Sequence, residues 1–134
     1  FLQVPGERLR KDCELLPSMA ERGLFTAGKD ISQGGIVGTA LMLAECSKVG
    51  IEIDLESIKS PDGELEKWLG AFPSYGFLLA ARPDKSESIT SVFHSREIDA
   101  RVIGQVVEGT SLHLFCKGER HLVWNHSTEP YLGL

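Results

Sequence analysis

The stretch that decides the fold is KDISQGGIVGTA, residues 29–40 of the 134-residue chain. In it, a short apolar run meets an acid, a hydroxyl and two adjacent glycines, and an amphipathic helix follows. Because glycine adopts backbone conformations that other residues avoid, the pair predicts a tight turn directly before the helix. Such a turn exposes the first N–H groups of the helix, at the positive end of its dipole. The sequence therefore predicts an anion-binding turn.

The same residues also fit a turn that binds nothing. Glycines mark strand-to-helix turns for geometric reasons alone, and Asp30 or Ser32 would serve as a helix cap. Both interpretations stay open at the level of the local sequence.

The composition is that of an ordinary globular chain, with 42% hydrophobic and 25% charged residues. The length fits one domain and is sufficient to bury a core. The formal net charge of −5 provides no basic surface for a polyanion. We therefore expect neither a nucleic-acid partner nor a membrane partner.

The cysteines and the first residues of the chain lead to expectations about the cellular compartment and about whether the chain is a fragment. Cys13, Cys46 and Cys116 are far apart and form neither a C-x-x-C motif nor a Cys/His cluster, so we expect buried thiols and a cytoplasmic protein. No apolar run approaches the roughly 18 residues that span a bilayer. The chain begins at Phe1 without methionine, and we expect a fragment of a longer protein in which residues 1–7 are a linker.

Hydrophobic periodicity and turn residues predict an alternation of helices and strands. The predicted helices cover residues 7–22, 36–48, 64–69 and 82–94, and the predicted strands cover residues 24–30, 50–55, 77–81, 101–107, 111–116 and 121–124. The apolar strand at 77–81 is expected in the middle of a sheet, and the links 108–110 and 117–120 are expected to be hairpin turns. The predicted fold class is α+β, with a mixed β-sheet that carries helices on at least one face.

One motif imitates a nucleotide-binding loop. Residues 23–30, GLFTAGKD, match the spacing G-x-x-x-x-G-K-[ST], but Asp30 stands where a hydroxyl binds Mg²⁺ and its charge repels phosphate. Elsewhere, no pair of carboxylates and no Cys/His or Ser/His pair is placed as a catalytic unit. Catalytic residues therefore stay unassigned, and no metal site is predicted.

The glycine motif and the residues after it resemble the C-terminal domain of the aminoimidazole ribonucleotide (AIR) synthetase superfamily. That superfamily includes formylglycinamide ribonucleotide amidotransferase, selenophosphate synthetase, thiamine-monophosphate kinase and HypE. The resemblance covers about residues 9–124 and points to an AIR synthase-related protein. It is carried by DISQGGI at 30–36, Gly38, ECSKVG at 45–50, IEIDL at 51–55, WL at 68–69 and FPSYGF at 72–77.

The resemblance implies a three-layer α/β/α domain, partly ferredoxin-like, that spans residues 1–134 and belongs to a two-domain protein. It also implies an enzyme that uses ATP and Mg²⁺, a homodimeric parent, and an N-terminal domain that supplies most nucleotide and metal contacts. The isolated chain is then expected to hold no cofactor. The residues that the resemblance places at a small phosphorylated ligand are Asp30, Ser32, Gln33, Gly34, Gly35 and Lys29.

Two hypotheses about function follow. In the first, the chain is the C-terminal half of an ATP-dependent enzyme, and its glycine turn forms one wall of a cleft that the N-terminal half completes. In the second, the chain is a non-catalytic ligand-binding or dimerisation module. Whether ATP or a phosphorylated substrate meets the glycines is left open.

Overall fold

The computed structural model describes residues 4–60, 63–71 and 76–133. The helices are α1 (Gly6–Cys13), α2 (Leu15–Glu21), α3 (Gly35–Ser47), α4 (Leu65–Gly70) and α5 (Ser86–His94), with short 3₁₀ turns at Leu55–Ser57 and Pro83–Lys85. The strands are β1 (Ala27–Asp30), β2 (Gly50–Asp54), β3 (Phe77–Ala80), β4 (Gly104–Val107), β5 (Ser111–Cys116) and β6 (Glu119–Asn125). The predicted α+β class with a mixed sheet is confirmed.

The chain forms two compact units. The first contains residues 1–27 and 79–101, and the second contains residues 28–78 and 102–134. Among the described residues, no helix is both long and apolar enough to cross a bilayer.

The first unit is helical and packs α1, α2 and α5 around Met19, Leu24, Ile89 and Phe93. The helix predicted over 7–22 is divided at Glu14, and Pro17 lies in the first turn of α2, where its missing N–H removes no helical bond. Gly23 ends α2 as predicted, with φ at +63°.

An ion pair ties the first unit together at its surface. The half-exposed guanidinium of Arg96 donates to the buried Asp12 carboxylate at 2.7 Å, and Arg8 lies 3.6 Å from the same carboxylate. Buried carboxylates require such partners, since an unpaired charge in this position would be costly.

The second unit is built on a four-stranded sheet in the order β4-β2-β5-β6. Strand β2 is parallel to β5 and antiparallel to β4, and β5 and β6 form an antiparallel hairpin. One face of this sheet packs Ile53 and Leu112 against Ile36, Ala40 and Leu41 of α3. The helix predicted at 36–48 is therefore confirmed, and its apolar side chains supply part of the core.

The hairpin predicted at 117–120 is confirmed, but the one predicted at 108–110 is wrong. Because β2 lies between β4 and β5, the link 108–110 carries the chain past β2 instead of joining neighbouring strands. Short glycine-containing links suggest hairpins, yet sheet order is set by contacts distant in sequence.

Strand β3 also differs from its predicted place. Within the part of the chain that the structure describes, β3 pairs with β1 in a two-stranded sheet, and its four residues are half-buried. It is therefore not in the middle of a larger sheet. The segments 60–63 (SPDG) and 72–76 (FPSYG), whose residues are typical of turns, lie partly outside the described residues.

The expectation of buried thiols is wrong. Cys13 and Cys46 are exposed and Cys116 is only partly buried. Cys46 is exposed because it lies across α3 from the buried Ala44.

Helix α3 is closed by Lys48, which adopts the left-handed conformation with φ at +54°. Gly50 begins β2, where the predicted strand also begins.

The β2–β4 pairing requires glycine at position 104. A Cβ atom there would lie 2.0 Å from the carbonyl oxygen of Glu52. We expect Gly104→Ala to lower the free energy of unfolding by about 1–3 kcal/mol, as overpacking does, measured by urea denaturation. Gly70→Ala is the control, since no atom of the described residues lies within 4 Å of its side-chain position, and equal effects of the two substitutions would contradict the pairing.

Candidate functional site

The candidate site is the turn between β1 and α3, residues 30–35, called here the glycine turn. Strand β1 ends at Asp30, and α3 begins at Gly35. Gly34 has φ of +89° and Gly35 has φ of +64°, so both occupy the region that favours glycine. The sharp change of direction between strand and helix therefore depends on the glycine pair.

The protein itself fills the space beside these glycines. A Cβ atom on Gly35 would lie 2.1 Å from the carbonyl oxygen of Leu69 at the end of α4. A Cβ atom on Gly34 would lie 3.0 Å from the Tyr131 hydroxyl, and one on Gly38 would lie 2.9 Å from it. Close packing therefore requires glycine on this side of the turn, whether or not a ligand binds.

In the part of the chain that the structure describes, the N-terminus of α3 has no side-chain cap and no acidic residue in its first turn. Gly38 N–H donates to the Gly34 carbonyl at 2.9 Å, so the N–H groups of Ile36 and Val37 precede this bond at the positive end of the helix. This is the arrangement that favours an anion.

The predicted caps are not formed. The Ser32 hydroxyl points to the sulfur of Met42 at 4.0 Å, and its backbone N–H lies 3.2 Å from the Thr39 hydroxyl oxygen. Asp30 is paired with its neighbour Lys29, with Nζ 3.2 Å from Oδ1. The interpretation of Asp30 or Ser32 as a helix cap is therefore wrong.

The predicted site residues divide into two groups. Gln33, Gly34 and Asp30 are exposed at the turn, whereas Ser32 and Lys29 are half-buried and Gly35 is buried. A ligand that approaches the turn would therefore meet the exposed group first. The spurious nucleotide loop at 23–30 is not formed, since its first glycine ends α2 and its lysine lies in β1.

Sequence reasoning missed Tyr131, which packs on the turn. Its ring meets Trp124 edge to face, with 5.9 Å between centroids. Its backbone N–H donates to Glu45 Oε2 at 2.6 Å. Glu45 belongs to the segment 45–50, which carries part of the family resemblance, but no local sequence pattern indicates a role for Tyr131.

A second polar cluster lies on the sheet. Glu52 on β2 accepts hydrogen bonds from Gln105 at 2.9 Å and from Arg120 at 3.0 Å, and Arg120 also lies 3.2 Å from His113 Nδ1. The Gln105 hydrogen bond, together with the Arg120 charge, lowers the pKa of Glu52. These groups satisfy one another and form a structural network.

Neither the cavity of the first unit nor any cluster of possible metal ligands among the described residues provides a further candidate site. A cavity of about 370 Å³ in the first unit is lined by Arg8, Lys11 and Arg96, but these cations are paired with Glu97, Glu7 and Asp12. Within the described ranges, no group of three side chains could hold a metal ion.

Comparison with known proteins identifies the family. The model of the "AIR synthase related protein, C-terminal domain" family matches residues 4–117. The chain belongs to this family. The resemblance carried by the glycine motif is therefore confirmed.

Solved structures share the fold of this AIR synthase-related domain. HypE from E. coli, a hydrogenase maturation protein, aligns over 84% of the domain and 39% of its own chain, with a TM-score of 0.73 and 22% identity. PurL from T. maritima, solved with FGAR, aligns over 83% of the domain and 18% of its own chain, with a TM-score of 0.72 and 20% identity. The predicted AIR synthase C-terminal-like fold is confirmed.

Sequence relatives are longer than the domain. An uncharacterised protein of Synechocystis is 43% identical over 95% of the domain, which spans 40% of that relative. An uncharacterised protein of Methanocaldococcus jannaschii is 30% identical over 93% of the domain, which spans 39% of that relative. The chain thus covers less than half of the curated relatives that it matches.

The pKa of Glu52 predicts a pH dependence of stability. A lowered carboxyl pKa stabilises the folded domain above the ordinary value of 4.5, and this stabilisation is lost as the pH falls through the lower folded value. We expect the melting temperature of the wild-type domain to fall more steeply below pH 4.5 than that of Glu52→Gln. Glu108→Gln, which removes an exposed acid outside the network, should keep the wild-type slope, and a wild-type slope in Glu52→Gln would contradict the network.

Proposed function

We propose that this AIR synthase-related domain is the C-terminal half of an ATP-dependent enzyme and that its glycine turn forms a phosphate-binding wall of the active-site cleft. The single observation that carries the proposal is the N-terminus of α3, which no described side chain caps and which follows two left-handed glycines. Backbone N–H groups and the helix dipole together favour a phosphate group at such a position.

The structural relatives support a nucleotide as the source of that phosphate. The PurL of T. maritima has been solved in complexes with ATP, with AMPPCP and with ADP. It has also been solved with FGAR, so a substrate is an alternative source of the group that meets the turn. The shared chemistry is an anionic phosphate group held by backbone N–H donors.

The chain's own residues fit phosphate better than they fit Mg²⁺. Magnesium prefers several oxygen ligands, but Asp30 is paired with Lys29 and the described residues contain no metal-binding group of three side chains. In the proposed enzyme, the chain therefore holds phosphate, and metal binding falls to an N-terminal domain of the same protein. A cytoplasmic homodimer is the proposed form of the complete protein.

The proposed mechanism of this wall is electrostatic. Gly34 and Gly35 adopt the left-handed conformations of the turn, and the N–H groups of Ile36 and Val37 follow at the positive end of the helix. Donors that are fixed before the ligand arrives need no reorganisation when charge develops on a phosphoryl oxygen. Lys29 adds a nearby cation, partly balanced by Asp30.

A second candidate function is a non-catalytic module. The observation that favours it is the packing of Gly34, Gly35 and Gly38 against the protein's own atoms, which explains the glycines without a ligand. The uncapped helix end is not explained by that packing, and it makes the phosphate-binding wall the preferred proposal.

Calorimetric titration of Mg·ATP and of inorganic phosphate, with this chain and with the complete gene product, tests the proposal. Binding raises apparent stability by mass action, so a thermal-shift series supplies an independent readout. We expect the complete protein to bind Mg·ATP, and Gly34→Val to weaken that binding by about tenfold or more, which is at least about 1.4 kcal/mol.

Gly118→Val is the matched control. Gly118 has φ of +80°, close to that of Gly34, but it lies in the β5–β6 turn with nothing within 4 Å of its side-chain position. It should lose stability through the same backbone strain while it keeps the wild-type affinity. Unchanged affinity in Gly34→Val would overturn the phosphate wall and favour the non-catalytic module.

A further inference from the structure

The segment that follows β6 lies over the glycine turn. Residues 129–132 are called here the C-terminal strap, and they lie outside the range 4–117 that matches the family model. The Tyr131 hydroxyl of this strap is the nearest group to the side-chain positions of both Gly34 and Gly38. The strap is therefore part of the surroundings of the proposed site.

Three anchors hold the strap. Glu45 Oε2 accepts hydrogen bonds from the backbone N–H groups of Tyr131, at 2.6 Å, and Leu132, at 3.0 Å. The Trp124 indole N–H donates to the Glu129 carbonyl at 2.6 Å. Glu45 accepts two of these three hydrogen bonds with one carboxylate oxygen, so it is the principal anchor.

The two glycines match the hydroxyl in position. The side-chain position of Gly34, the residue before α3, is 3.0 Å from the Tyr131 hydroxyl and 3.1 Å from the Gly38 Cα atom within the helix. Gly38 has an ordinary helical backbone, so among the described atoms it is the Tyr131 hydroxyl, 2.9 Å from its side-chain position, and the Gln33 carbonyl oxygen, at 3.2 Å, that require glycine there. The requirement for glycine at position 38 is thus chiefly a requirement for Tyr131.

We infer that Tyr131 is a positioning residue of the glycine turn and that Glu45 acts through it. The hydroxyl packs against Gly34 and Gly38 and thereby fixes the left-handed backbone on which the helix end is presented. Since this inference rests on the proposed phosphate-binding function, its ligand readout is a change in Mg·ATP affinity, and its ligand-free readout is amide exchange at residues 34–38.

The first test is a double-mutant cycle in the complete gene product, with Gly38→Ala, Tyr131→Phe and the pair. Gly38→Ala should lower the exchange protection of residues 34–38 and the Mg·ATP affinity, each by about tenfold, since the methyl group displaces the hydroxyl. Tyr131→Phe alone should also lower both, because the hydroxyl no longer packs against Gly34 and Gly38, and the double variant should lose less than the sum of the two single losses, because the methyl group then occupies the place of the hydroxyl. Additive effects on exchange would overturn the inference.

The second test distinguishes the loss of the Glu45 hydrogen bonds from a general loss of stability. Glu45→Ala should lower exchange protection at residues 34–38 and weaken Mg·ATP binding, while Glu45→Gln, which keeps an acceptor, should retain part of both. Glu129→Ala is the matched control, since the strap uses the carbonyl of Glu129 and its side chain is exposed. Equal exchange at residues 34–38 in Glu45→Ala and Glu129→Ala would overturn the role of Glu45.

The two proposals fail in different ways. Coupled exchange between Gly38 and Tyr131 in a protein that binds neither Mg·ATP nor inorganic phosphate would overturn the phosphate wall and support the positioning role. Binding of Mg·ATP that Gly34→Val weakens, without coupled exchange, would support the wall and overturn the positioning role.

Discussion

The packing of the second unit of this domain depends on the close approach of two backbone segments, the end of α4 and the start of α3. The end of α4 lies so near Gly35 that a side-chain carbon there would be 2.1 Å from the Leu69 carbonyl oxygen. No rotamer change relieves such a contact, because both partners are backbone. The position at which α3 begins is therefore fixed, and with it the face that α3 presents to Ile53 and Leu112 of the sheet.

This constraint changes the meaning of the glycine motif. A glycine pair before a helix suggests a ligand, yet here α4 and Tyr131 occupy the side-chain positions of Gly35 and Gly34. The argument for a ligand therefore depends on the uncapped helix end and not on the glycines themselves. Packing and anion binding are compatible, because the glycines face the protein while the first N–H groups point along the helix axis.

Sheet order illustrates how far local sequence signals reach. Strand β2 alternates apolar and acidic residues, which is typical of a strand with one polar face, and on that face Glu52 contacts Gln105 and Arg120. The same pattern does not predict which strands pair with β2. Because β2 lies between β4 and β5, the hairpin predicted at 108–110 is wrong. The pairing of β2 with β4 depends on Gly104, which has no side chain and can therefore lie against the Glu52 carbonyl. No local sequence pattern predicts this contact.

The sequence by itself determined the elements that depend on short-range periodicity and turn chemistry: α3, the β5–β6 hairpin, the end of α2 at Gly23 and the family motif at 30–36. These follow because neighbours in the chain decide backbone conformation. Only the tertiary structure decided the position of β2 in the sheet, the exposure of Cys46 and the contact of Tyr131 with Gly34 and Gly38. Glu45 and Tyr131 are 86 residues apart, and a contact across that separation is created by the packing of the whole unit, not by any local pattern.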